Sequence, residues 1–194
     1  EARVLTNRCL AKLGITPGPD ALAELRRVDV TTLLAVQDEI CAETPVPFRP
    51  VIDGLYLPRD PKDTIAARRS GLPPLLIGNN RNETKLPRAL TTRASGRWVV
   101  DLPGQVAYGF RAPNDATESL IADYRLAAGG DDAEAGDLLN TDRYWRIPIR
   151  RFVDAYLDGG GAVYAYEFAR PTPVLDGALG ACHALEIAYV FDNL

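Results

Sequence analysis

The chain has 194 residues, 46% hydrophobic and 25% charged, the balance of a globular domain with a real core. Its formal net charge is -4, and no basic run is longer than Arg68-Arg69 or Arg150-Arg151, which argues against nucleic acid or an anionic membrane as main partner. The longest apolar stretches, such as Leu72 to Ile77 with its two prolines, are far too short to span a bilayer.

Val4 to Leu13 reads as a helix with Leu5, Cys9 and Leu13 on one stripe, ended by Gly14. Asp20 is placed to cap a short helix through Arg27, and Thr31 to cap another that carries Leu33, Val36 and Ile40 on one face. Pro45, Pro47, Pro50, Pro58 and Pro61 then exclude a continuous helix. Within that stretch Phe48 to Gly54 reads as a short extended segment closed by an Asp-Gly turn. Asp63 to Ser70 predicts a short helix stopped by Gly71.

Pro74-Leu75-Leu76-Ile77-Gly78 is a compact apolar run between turn signals, which predicts a buried parallel strand in a sheet covered on both faces. Polar Asn79 to Thr84 follows it, and Lys85 to Pro113 reads as loop, with a short hairpin near Trp98 to Val100. Asn114 is placed to cap a helix with Thr117, Leu120, Ile121 and Tyr124 on one face, stopping at Gly129-Gly130. Pro148 opens the clearest helix, with Ile149, Phe152, Val153 and Tyr156 at helical spacing up to Gly159-Gly160-Gly161. Ala162 to Phe168 is then a strong strand, and a Pro- and Gly-containing loop leads to His183 and the apolar run Ile187 to Phe191.

Strand, helices, strand, with polar residues past the carboxyl ends of both strands, is an α/β layout, and in such sheets sites assemble beyond those ends. His183 is the only histidine, and no other unperturbed side chain titrates between about pH 5 and 8. Glu83 lies just past the first strand and His183 past the second. They form a candidate pair in which the carboxylate accepts the imidazole Nδ1–H and leaves Nε2 free as a base. The competing reading of Glu83 is a solvated loop carboxylate. Cys182 beside His183 is the wrong geometry for a nucleophile, because chain neighbours usually point apart. His183 with Glu186 is too few ligands for zinc with no second histidine, so no metal and no cofactor are expected.

The three cysteines, Cys9, Cys41 and Cys182, lack metal or redox spacing and are read as buried free thiols, a Cys9–Cys41 disulfide being the minority option. No methionine occurs and no signal-peptide pattern opens the chain, so it is expected to be a piece of a longer protein.

Several short motifs occur in a telling order: Phe48-Arg49-Pro50-Val51-Ile52-Asp53-Gly54, Leu57-Pro58, Leu75-Leu76-Ile77-Gly78 with Glu83, Thr141-Asp142, Val163 to Phe168, and Gly180-Ala181-Cys182-His183-Ala184-Leu185-Glu186. Together they resemble the later-middle part of the type-B carboxylesterase family, the cholinesterase-like branch of the α/β-hydrolase fold. The resemblance covers almost the whole chain. It implies one partial α/β-hydrolase domain over residues 1–194, carrying late strands of the central sheet and flanking helices. It also implies an ester-hydrolysing serine enzyme whose triad runs Ser, Glu, His, with Glu83 matching the acid and His183 the base. Glu186 matches a carboxylate that packs and hydrogen-bonds around the His loop, while Asp53-Gly54 and Asp142 match structural positions.

Two departures stand out. Asn82 replaces the Asp that many relatives carry before the triad Glu. The serines, Ser70, Ser95 and Ser119, lie in no G-x-S-x-G turn, and no glycine-rich segment supplies oxyanion-hole amides. By the resemblance the nucleophile belongs before residue 1 and a C-terminal helical region after residue 194. The isolated chain is therefore expected to be inactive toward esters and to self-associate through surfaces that the parent buries. The alternative is a non-catalytic interaction module, since the same fold occurs in adhesion proteins that have lost catalysis.

Overall fold

The computed structural model describes residues 2–43, 47–68, 70–95, 101–110 and 114–193. Two compact units divide at Asp60 and Pro61. In the first, α1 (Ala2–Lys12), α2 (Ala21–Leu25) and α3 (Val30–Glu43) follow the apolar stripes of the sequence. Leu10, Ile15 and Ala21 form its small core, flanked by Leu13, Leu25 and Val28. The caps differ from expectation. Asp20 makes no side-chain cap bond, and α3 is capped by Asp29, which accepts from the Thr32 amide at 2.9 Å and its hydroxyl at 2.6 Å. Thr31 lies inside the helix, because the residue one turn ahead of an amide, not its neighbour, reaches that orphan N–H. Past Phe48, Asp53 Oδ1 accepts from the amides of Leu55 and Leu57, each at 2.9 Å, closing the expected turn at Gly54.

The second unit holds α4 (Pro61–Ala66), β1 (Leu75–Asn80), α5 (Lys85–Ser95), α6 (Leu102–Phe110), α7 (Asn114–Ala127), α8 (Asp132–Thr141) and α9 (Ile147–Asp158). A π-helical turn, Asp142–Arg146, joins α8 to α9. Then come β2 (Val163–Phe168), a 3-10 turn at Val174–Gly177, and α10 (Leu185–Val190). The two strands pair in parallel, Leu75 opposite Val163 through Asn80 opposite Phe168. Gly78 permits this pairing, since a Cβ there would come within 2.6 Å of the Tyr166 ring. Helix α9 buries Ala155 and Tyr156, and the Tyr156 hydroxyl donates to the Pro73 carbonyl at 2.6 Å, tying the helix to the entry of β1.

Two expectations are corrected, and one helix is added. Within Lys85 to Pro113, read as loop, Lys85–Ser95 and Leu102–Phe110 are the helices α5 and α6, with Pro87 and Pro103 in first turns, where a missing N–H costs nothing. Asp101 caps α6 through the Gly104 amide at 3.0 Å. The hairpin at Trp98 to Val100 lies outside the described residues. Helix α8 was unread because its buried face is built from small and polar residues, Ala135, Gly136, Asp137 and Thr141, around one large apolar side chain, Leu139. With α6 and α7 it makes the main core of Leu102, Val106, Ile121, Ala135 and Leu139. Finally, the sheet is not covered on both faces: Leu76 is 71% and Tyr164 66% exposed. An apolar run reports a strand suited to burial between layers, and here α9 packs against both strands while Leu76 and Tyr164 stay open. The cysteines are free as read, but only Cys182 is buried and Cys41 is exposed.

Candidate active site

At the carboxyl end of β1 and in the turn after it the burial pattern inverts, and polar residues go inside. Asn79, Asn80, Glu83 and Thr84 are all buried. β1 runs on into a turn at Arg81–Thr84, and the ladder persists past the strand. The Arg81 amide donates to the Phe168 carbonyl at 2.9 Å, and the Asn82 amide to the Ala181 carbonyl at 3.0 Å. The Ala181 amide returns a 3.0 Å bond to Asn82 Oδ1, so the acid loop and the histidine loop are zipped as a short parallel bridge. Asn82 thus supplies an acceptor oxygen where the histidine loop offers an amide. Gly180 makes the closeness possible: its φ is +57°, and a Cβ would lie 2.4 Å from Asn82 Oδ1. Ala184, just past His183, also has positive φ, +67°, a left-handed conformation that costs a non-glycine residue energy and turns the chain into α10.

This architecture brings Glu83 and His183 together, as their spacing past the strands predicts. Glu83 is 4% exposed, and both of its oxygens are occupied. Oε1 accepts from the Asn80 amide at 2.7 Å, and Oε2 lies 2.6 Å from His183 Nδ1. A nitrogen and a carboxylate oxygen this close share a proton, which places hydrogen on Nδ1 and leaves the Nε2 lone pair available whenever the ring is neutral. The His183 side chain is 50% exposed, so the ring is held on one edge and open on another. Trp145, presented by the π-helical turn, packs its ring 5.7 Å from the imidazole at a tilt of 55°. Such turns recur at functional sites because the extra residue re-aims a side chain.

Two polar networks brace the site. Behind Glu83, the Thr84 hydroxyl contacts the Asp137 carbonyl at 3.0 Å and Oδ1 at 3.1 Å. Arg88 Nε lies 2.8 Å from Asp137 Oδ2 as an ion pair outside hydrogen-bond geometry, while Lys85 and Arg88 pair with Glu134 at 2.7 and 3.2 Å. Burial raises the Asp137 carboxyl above its usual range, against the opposing pull of Arg88. Along β2, Arg81 and Arg146 reach Glu167 at 3.1 and 3.2 Å, and Arg146 also pairs with Asp142. The Tyr124 hydroxyl donates to Asp142 at 2.8 Å, and burial, reinforced by that carboxylate, raises the phenol well above its normal pKa.

Cys182 is buried, and that burial pushes its thiol up, partly opposed by its own backbone amide; Glu186 and Glu83 push it further up. A neutral buried thiol is a poor nucleophile. Sequence reasoning missed Asn80 and Trp145 as parts of the site. The polar pair Asn79-Asn80 at the end of an apolar strand was a readable signal, whereas nothing in the pattern around Asp142 announced a π-helical turn.

Comparison with known proteins bears on the family and the fold. The carboxylesterase family profile matches residues 4–194. Phenmedipham hydrolase of Pseudarthrobacter oxydans is 28% identical over 167 residues, covering 78% of this chain and 29% of that protein. Crystal structures of the Geobacillus stearothermophilus carboxylesterase EST55 at pH 6.8 and pH 6.2 superpose with TM-scores of 0.70 and 0.73, at 26% and 29% identity. They cover 99% of this chain, which itself spans only 37% and 38% of theirs. A match over nearly the whole chain, joined to the α/β-hydrolase layout of its sheet, shows that the chain belongs to the carboxylesterase family.

Proposed function

We propose that this chain supplies the acid and base of a serine carboxylesterase, within a longer protein that provides the nucleophile and the oxyanion hole. The observation that carries this reading is the 2.6 Å contact between His183 Nδ1 and a Glu83 carboxylate that is buried and bonded on its other oxygen. In the full-length protein a serine hydroxyl attacks the carbonyl of a small-molecule ester. His183 Nε2 takes the serine proton, forming a tetrahedral intermediate, and returns that proton to the departing alcohol to leave an acyl-enzyme. Water, deprotonated by the same nitrogen, releases the acid and restores the serine. Glu83 holds the Nδ1–H tautomer and stabilises the imidazolium as it forms. Both units belong, in this reading, to one partial α/β-hydrolase domain, as the family match through 4–194 supports.

The test is hydrolysis of a short p-nitrophenyl ester by the full-length protein. Glu83→Gln is expected to lower kcat by roughly 10⁴-fold through loss of the correct tautomer. Unaltered turnover in His183→Ala would defeat the assignment. The 194-residue chain alone is expected to resist labelling by a serine-directed fluorophosphonate, and stoichiometric labelling would contradict the placement of the nucleophile elsewhere.

A further inference from the structure

We propose that Asn80 is a positioning residue that locks the histidine loop to the acid loop and thereby keeps His183 on Glu83. The inference rests on the reading of those two residues as base and acid. Asn80 is the last residue of β1 and is 1% exposed. It grips the site by two routes. Its backbone amide donates to Glu83 Oε1 at 2.7 Å, the oxygen that does not face the imidazole. Its side-chain Nδ2 donates to the carbonyl of Cys182, the residue before His183, at 2.6 Å, and to Oε2 of Glu186 in the first turn of α10.

The chemistry allows one arrangement of this amide. Nδ2 carries two hydrogens, and both acceptors beside it, a carbonyl and a carboxylate, need them. Turning the amide over would set three acceptor oxygens against one another with no proton between them. Asn80 Oδ1 is then left buried without a hydrogen-bond partner. An apolar residue of similar volume would carry no such orphan, so the amide is unfavourable as mere packing and is explained by what Nδ2 joins. Glu83 and Glu186 flank the His183 loop with two carboxylates, and Ala184 holds a left-handed turn between His183 and Glu186. A donor bound to both sides of the loop opposes the spreading that like charges and a strained turn favour.

The experiment reads the imidazole directly. His183 is the only histidine, so its ¹⁵N resonances in the labelled chain need no assignment. The wild-type chain is expected to show the Nδ1-protonated neutral tautomer. Asn80→Leu, which removes both Nδ2 hydrogens at similar volume and keeps the backbone amide, is expected to shift it toward the mixture of free imidazole. Asn80→Ser is expected to do the same and is read instead if the Leu variant does not fold, while Asn80→Gln, which keeps an amide, restores part of the wild-type signal. In the full-length protein Asn80→Leu is expected to lower kcat about 10²-fold, as for a misplacement near 1 Å, with KM within about threefold. A wild-type tautomer in both the Leu and Ser variants, or an unchanged kcat, would overturn the proposal. If the Asn80 variants change the tautomer while Glu83→Gln leaves turnover intact, the lock stands and the acid–base reading falls.

Discussion

The middle of the sheet and the turn that leaves β1 treat their residues in opposite ways. Midway, apolar side chains stand in the open, Leu76 at 71% and Tyr164 at 66% exposure. At the carboxyl end, polar side chains are packed away, Asn80 at 1% and Glu83 at 4%. Ordinary folding energetics favour the reverse, since exposed apolar area forgoes roughly 25 cal/mol per Å² and buried polar groups need partners. The difference teaches that the Glu83–His183 end is closed by contacts within this chain, whereas the strand faces are not. Every link between Glu83, Asn80, Asn82, Ala181 and His183 is made by residues 80–183 alone. The faces, in contrast, are of the kind that parallel sheets bury beneath helices on both sides.

That contrast can be attacked at several points. The largest expected effect after loss of the acid or base is at Gly180, where the loops touch. Gly180→Val adds a Cβ 2.4 Å from Asn82 Oδ1 at a backbone φ of +57°. It is expected to cost about 1–3 kcal/mol of stability in chemical denaturation and to lower kcat of the full-length protein about 10²-fold. A wild-type melt and rate would mean that the loops can part without consequence. The next effect concerns the faces. The isolated chain is expected to self-associate in light scattering, and Leu76→Glu with Tyr164→Glu to return it toward monomer with its helical circular dichroism intact. A clean monomer of the unmodified chain at high concentration would show that the open faces are harmless.

The smallest effect is electrostatic. Burial raises the folded-state pKa of Asp137 above its usual value of 3.8, so the folded state holds this proton more tightly than the unfolded chain does. The sign follows from linkage: any stability contributed by protonated Asp137 is full below the ordinary aspartate pKa and is lost as pH rises through the raised folded value. Asp137→Asn is expected to flatten that part of the stability-versus-pH curve, measured by thermal melts from acid to neutral pH. An identical slope in wild type and variant would mean that Arg88 cancels the burial.

Much of this was legible in the chain order of residues. The apolar run at Leu75–Ile77 and the strong segment at Val163–Phe168 announced the two strands. The hydrophobic spacing from Ile149 to Tyr156 announced α9, because periodic apolar positions reflect a one-sided environment that the sequence itself records. Glu83 and His183 were legible as polar residues past strand ends, in motifs of a known family. Helices α5, α6 and α8 were not: their prolines sit in permissive first turns, and the buried face of α8 carries a carboxylate, a hydroxyl and a glycine, which only neighbouring chains of atoms can satisfy. Asn80 stood out as a polar residue ending an apolar strand, but its partners did not, since they lie 102 and 106 positions away.

By itself, then, the sequence determined the family, the order of the principal elements and which carboxylate and which imidazole stand past the strands, since these depend on local pattern and motif. Tertiary structure alone decided that the Glu83 carboxylate meets Nδ1 of His183, that Asn80 and Asn82 bind the two loops together, and that Trp145 lies against the imidazole. Those facts rest on hydrogen bonds and ring contacts between segments far apart along the chain, whose distances are set by strand register and by a glycine without a Cβ at the crossing.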